Sequence, residues 1–169
     1  MSDGKKAVWE VAETYREDSA FKEMFDSLRK HPLPDGNARI LPGTLPVLFH
    51  KVFNVGRDSS PGTNAYHHPC ALLAQLLPEE MCDDNFVQFL SFITNMDPVY
   101  KALLEMRDGK AMLLLVWWYS KTCAHFSWWM RRRSVVEGRA ICVYLEKNFG
   151  GDEDIMELLE FPKQVLLAL

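Results

Sequence analysis

The chain has 169 residues, enough for one domain with a sizeable core, and its 48% hydrophobic and 25% charged residues are ordinary for a globular protein. With 19 Lys and Arg against 23 Asp and Glu the formal net charge is −4, which argues against nucleic-acid binding over the whole surface, since phosphates demand clustered positive charge. The cysteines Cys70, Cys82, Cys123 and Cys142 form no CxxC pair, and Cys123 and Cys142 lie in apolar runs, so they read as core residues of a reducing compartment.

In chain order, residues 5–30 are helical in pattern. Val8, Val11, Ala12 and Tyr15 repeat at helical spacing, as do Phe21, Met24, Phe25 and Leu28, with a phase slip near Asp18-Ser19 that implies one bent helix or two. "HPLPDGNARILPG" (31–43) is a loop by its prolines and its Asp-Gly step, and Leu45 to Phe53 is a short apolar helix. "NVGRDSSPGTNAYHHP" (54–69) is rich in Gly, Ser, Asn and Pro. These features predict an N-terminal helical arm over 1–53, a flexible linker or loop over 54–69, and a helical domain over 70–169.

Beyond Pro69 nearly everything reads as helix. "CALLAQLL" (70–77) ends at Pro78, and Asp83 or Asp84 is placed to cap the next helix, whose stripe is Phe86, Phe89, Leu90 and Ile93. Asp97-Pro98 is a capping residue followed by proline in the first turn, and Asp108-Gly109 breaks or restarts the pattern. From Ala111 to Ala124 apolar residues cover every side of the helical wheel, which predicts a buried central helix. Ser127 is a candidate cap for a helix from Trp128 to about Asn148, stopped by Gly150-Gly151. Asp152 starts a last short helix, Ile155 to Glu160, ended by Pro162, after which the apolar tail "KQVLLAL" is expected to dock. No stretch alternates with a period of two. The expected fold is all-α: a compact multi-helix domain with a buried central helix.

No membrane span is expected. "AMLLLVWWYSKTCAHFSWWM" (111–130) approaches the needed length, but Lys121 and His125 interrupt it and the unbroken run stops at Tyr119. Met1 is followed by polar and charged residues, so a secretory signal is not expected and the location is read as intracellular, nucleus and/or cytoplasm.

Catalysis has no positive support. No glycine-rich phosphate loop, GxSxG or HExxH occurs. His67-His68 with Cys70 and Cys82 does not match a zinc-ligand spacing and reads as a polar loop with two surface histidines. His125 reads as a partly buried structural residue, and the carboxylates of "GDEDIMELLE" (151–160) as helix-start residues favoured by the dipole. The chain is therefore expected to be non-enzymatic, with no catalytic residue, metal ligand or cofactor.

"SWWMRRRSVVEGRA" (127–140) is the most unusual stretch. Consecutive helical residues are about 100° apart, so Arg131, Arg132 and Arg133 cannot share one groove. Arg132, Arg139 and Glu146 form a solvated stripe, and Arg133 and Glu137 an i, i+4 pair. Met130, Ile141 and Leu145 bury one face, and Trp129, Val136, Ala140 and Val143 are expected to bury another, so the helix is expected to be sandwiched, with no direct nucleic-acid contact. The tryptophans carry more information. Trp117, Trp118, Tyr119, Phe126, Trp128 and Trp129 crowd together, either as packing or around an apolar cavity that methionines such as Met112 and Met130 could adapt.

"NMDPVYKALLEMRDGKAMLLLVWWYSKTC" and "WWMRRRSVVEGRAICVYLEKNFGGDEDIMELLEFPK" together resemble the C-terminal regulatory region of fungal zinc binuclear cluster transcription factors, the group that includes the sterol-uptake regulators. The shared order is Asp97-Pro98, the apolar helix Ala111 to Tyr119, Trp128-Trp129, the helix Arg131 to Glu146, and the acidic helix Glu157 to Pro162, so that the resemblance spans roughly residues 67–165. The cysteine cluster with which those factors bind DNA is missing here. The resemblance implies a role in transcription regulation and a helical domain holding an apolar molecule such as a sterol or lipid. The residues nearest the motif that could line such a pocket are Met112, Leu115, Tyr119, Trp128 and Trp129. The alternative expectation is a helical protein-protein interaction module with no small-molecule ligand, pairing with itself as a homodimer or with another protein.

Overall fold

The computed structural model describes Lys22, residues 30–125 and residues 127–169. Apart from Lys22 and Lys30, the helical pattern over 5–30 therefore lies outside the described residues, as does Phe126. Among the described residues the fold is all-α, with α1 (Val47–Val52), α2 (His67–Leu76), α3 (Phe86–Thr94), α4 (Pro98–Glu105), α5 (Gly109–Thr122), α6 (Trp128–Phe149) and α7 (Glu153–Leu167).

Helix α5 is the axis of the packing. It touches α2, α4, α6 and α7, while α6 also packs on α7, α1 on α7, and α2 on α3. The all-round apolar pattern expected of the central helix is realised: Ala111, Leu113, Leu114, Val116, Trp117, Trp118 and Tyr119 are all buried. Each fully buried large apolar side chain contributes about 1.5–3 kcal/mol of transfer free energy, so α5 is the main source of cohesion. Trp118 stacks on Phe92 with ring centroids 5.7 Å apart and donates its indole N–H to Phe89 O at 2.8 Å, fastening α3 to α5. Thr122 Oγ1 and Ser134 Oγ, both buried, lie 2.8 Å apart and join α5 to α6.

Aspartates start three of the helices. Asp97 accepts from the Val99 N–H at 2.8 Å with Pro98 in the first turn of α4, Asp108 accepts from Ala111 N–H at 2.8 Å, and Asp152 from Ile155 N–H at 3.1 Å. Two expected caps differ. Ser127 stands before α6 but makes no side-chain cap; its own N–H donates to His125 Nδ1 at 3.2 Å. Helix α3 starts at Phe86 after Asn85, not after Asp83 or Asp84, and the Asn85 amide folds back on the Cys82 N–H and Glu80 O, both at 2.8 Å. Between α4 and α5 the chain turns through Arg107 at φ 57°, where the Asp108 N–H reaches back to Leu103 O and the Arg107 N–H to Leu104 O, both at 3.0 Å.

The stretch 54–69, expected as a linker, contains hydrogen-bonded turns. Asn64 Nδ2 donates to both Phe53 O and Asn54 O at 2.8 Å, Val55 is buried, and Ser59 Oγ lies 2.9 Å from His67 Nδ1. His67 is buried in the first turn of α2 instead of being a surface histidine. Ile40, Leu45, Phe49, Val52, Phe53 and Val55 belong to the same buried cluster as the residues of α5.

Two expectations about the C-terminal half are overturned. Proline 162 does not end the last helix, which runs through Pro162 to Leu167. Nor is α6 sandwiched. Its buried face is Met130, Ser134, Gly138, Ile141, Cys142 and Leu145, while Trp129, Val136, Ala140 and Val143 face solvent. Apolar character on two faces predicts a sandwich only if the fold covers both, and here its two neighbours, α5 and α7, meet on the one face around Gly138.

Candidate functional site

The site begins with a proline. Pro162 has no N–H, so Leu158 C=O, one turn earlier in α7, loses its helical donor. The indole N–H of Trp117 donates to that carbonyl at 2.9 Å. This bond draws Trp117 of α5 against α7, where its ring stacks on Phe161 at 4.9 Å and meets the edge of Phe49 from α1 at 5.0 Å.

Outside this aromatic stack the surface is concave. A cleft of about 450 Å³ is lined by Gly43, Thr44, Leu45 and Pro46, by Leu77 and Pro78, and by Trp117, Lys121 and Phe161. That volume lies within the roughly 300–1,000 Å³ usual for small-molecule sites. Its walls come from three places: the loop before α1, the end of α2, and the paired surfaces of α5 and α7. Two Leu-Pro steps, Leu45-Pro46 and Leu77-Pro78, provide rigid apolar edges whose prolines lack an N–H to be satisfied. Lys121 stands one helical turn beyond Trp117 and makes no ion pair among the described residues. The cleft therefore combines an apolar, aromatic floor with a single cationic group.

The five residues expected to line a pocket fall elsewhere. Met112, Leu115 and Tyr119 share one face of α5; Met112 and Leu115 are half-buried and Tyr119 is buried. The Tyr119 hydroxyl donates to Glu137 Oε2, and Glu137 Oε1 accepts from Arg133 Nε at 2.9 Å. Burial, reinforced by the Glu137 carboxylate, holds the Tyr119 phenol well above its ordinary pKa, so this group acts as a donor clamp between α5 and α6. Trp128 is 75% exposed, and the Trp129 ring meets that of Phe86 edge to face at 5.9 Å. None of the five lines the cleft around Trp117. The sequence signals for that cleft were the two Leu-Pro steps, the i, i+4 pair Trp117 and Lys121, and a proline inside a helical pattern.

A larger groove, about 640 Å³, runs beside the turn between α6 and α7 and is lined by Lys51, Asn148, Phe149, Gly151, Asp152, Glu153 and Asp154. Two of its three carboxylates have structural work: Asp152 caps α7, and Asp154 pairs with Lys51 at 2.6 Å. Among the described residues no group of His, Cys, Asp and Glu is arranged to hold a metal ion, and no helix is long and apolar enough to cross a membrane. Cys70, Cys123 and Cys142 are buried free thiols and Cys82 is an exposed one. No family model, no curated protein and no solved structure matches this chain.

Proposed function

We propose that the chain is a non-enzymatic regulatory domain of the kind found at the C-terminus of fungal zinc binuclear cluster factors, and that it captures an apolar small molecule, a sterol or a lipid, in the cleft beside Trp117. The observation that carries this reading is the cleft itself. Its floor is the Trp117–Phe161 stack, its edges are Leu45-Pro46 and Leu77-Pro78, and Lys121 offers a cation to a hydroxyl or carboxylate head group. A molecule seated there touches the loop before α1, the end of α2, and α5 and α7 together. It would favour the arrangement in which those elements are closed on one another, a population shift that a partner surface could read.

Thermal unfolding of the whole chain with a sterol and with a long-chain fatty acid tests the proposal. Binding to the folded state raises the midpoint in proportion to ligand saturation. Phe161→Ala removes the stacked ring at a half-exposed position and should abolish the shift, at a cost of about 1–2 kcal/mol to the ligand-free fold, which stays cooperative. A midpoint that neither ligand moves at saturation removes the small-molecule reading. The second reading, a protein-interaction module without a ligand, is favoured by the uncovered apolar row on α6.

A further inference from the structure

The solvent-facing side of α6 carries a row of six residues spaced alternately by four and three: Trp129, Arg133, Val136, Ala140, Val143 and Lys147. At about 100° per residue the row stays within roughly 80° of the helix circumference and extends for about 27 Å, the pattern of a coiled-coil seam. It lies opposite the buried face, whose centre is Gly138. Trp129, Val136 and Val143 are 42%, 60% and 62% exposed, although three such residues in register would ordinarily be covered.

The row is self-complementary when reversed. Turned end for end about the level of Gly138, Trp129 falls on Lys147, Arg133 on Val143, and Val136 on Ala140. Each layer then makes physical sense. The Lys147 ammonium meets the face of an indole. The aliphatic stem of Arg133 covers Val143 while its head stays with Glu137. At the centre Val136 packs on Ala140, whose small side chain lets the two backbones approach. Beside the seam the same reversal places Arg132 opposite Tyr144 and within about 3 Å, along the axis, of the level of Glu146, a separation two long side chains span, and it does so twice. Glu146, already paired with Lys163 on its own chain, would bridge two cations. Arg139 comes next to the axis but is drawn aside, its Nε donating to Leu166 O at 2.9 Å. A parallel arrangement would instead oppose Arg133 to Arg133 and Lys147 to Lys147 along the seam, which like charges disfavour.

We propose that this face of α6 binds a second copy of the chain, antiparallel, across a two-fold axis beside Gly138. A two-fold interface requires one patch to complement itself, and that is the property of this row. The inference stands apart from the ligand reading, because none of these residues lines the cleft around Trp117.

Sedimentation velocity on the whole chain is the test, run from about 1 to 100 µM, the range in which a micromolar dimer assembles. The expected result is a concentration-dependent dimer that Val136→Glu converts to monomer with an unchanged circular dichroism spectrum. Arg132→Glu should weaken the dimer at least about tenfold, and Arg132→Glu combined with Glu146→Arg should restore it. A chain that stays monomeric throughout overturns the proposal and leaves the row to another partner. A dimer indifferent to Val136→Glu overturns it too, since the contact would then lie elsewhere. Failure of the charge exchange to rescue overturns the antiparallel register.

Discussion

The indole N–H of Trp117 donates at 2.9 Å to Leu158 O, the carbonyl left without its helical donor by Pro162. One side chain of α5 thus repairs the backbone of α7, which is why the helix continues past a residue that would ordinarily stop it.

The repair can be measured as a coupling. Trp117→Phe keeps an aromatic ring over Phe161 but leaves Leu158 O buried without a donor, and should cost about 1–3 kcal/mol. In a Pro162→Ala background residue 162 supplies the missing N–H, so the same change should cost about 1 kcal/mol less. Equal costs in the two backgrounds, measured by denaturant unfolding, would show that the indole bond is not serving the proline.

The two tryptophan pairs should respond in opposite ways. Trp118 is almost wholly enclosed, stacked on Phe92 and bonded to Phe89 O, so Trp118→Ala should cost about 3–5 kcal/mol or abolish folding. Trp128 is 75% exposed, and Trp128→Ala should stay within about 0.5 kcal/mol of the parent chain. A large loss for Trp128→Ala in a chemical melt would contradict its exposure.

Stability should fall on both sides of a neutral plateau. Burial foremost raises the Tyr66, Tyr100 and Tyr119 phenols above their ordinary pKa of 10.0. Above that pH the unfolded chain has released protons that the folded one retains. The stabilisation from these groups is therefore complete below pH 10.0 and lost as pH climbs toward the raised values. Burial also lowers His67 below its ordinary 6.5. Its contribution is present above pH 6.5 and lost as pH falls, because the unfolded imidazole takes up a proton first. The midpoint of thermal unfolding should accordingly drop below about pH 6 and above about pH 10. Three tyrosinates should absorb only as the chain unfolds; their appearance in the folded protein near pH 10 would refute the burial argument.

Much of the fold was legible because its signals are local. Asp97-Pro98, Asp108 and Asp152 start helices by reaching N–H groups two or three residues away, and the all-round apolar run after Gly109 can only be a central helix. The site was less legible. Leu45, Leu77, Trp117 and Phe161 come from four separate stretches, and no periodicity within any one of them says that they meet. Trp128 and Trp129, the most conspicuous residues by composition, lie at the start of α6, where the fold leaves Trp128 in solvent and covers just over half of Trp129.

Helix content, the starts of α4, α5 and α7, and the burial of α5 were thus determined by the sequence by itself, since each follows from interactions within about one helical turn or from the sum of apolar residues around it. Whether Pro162 ends a helix, which side of α6 is covered, and where an apolar cleft opens were decided only in three dimensions. Each of those depends on a partner distant in sequence: an indole from α5 for the freed carbonyl of α7, a single neighbouring layer for an α6 that is apolar on two sides, and two Leu-Pro edges brought up to one tryptophan.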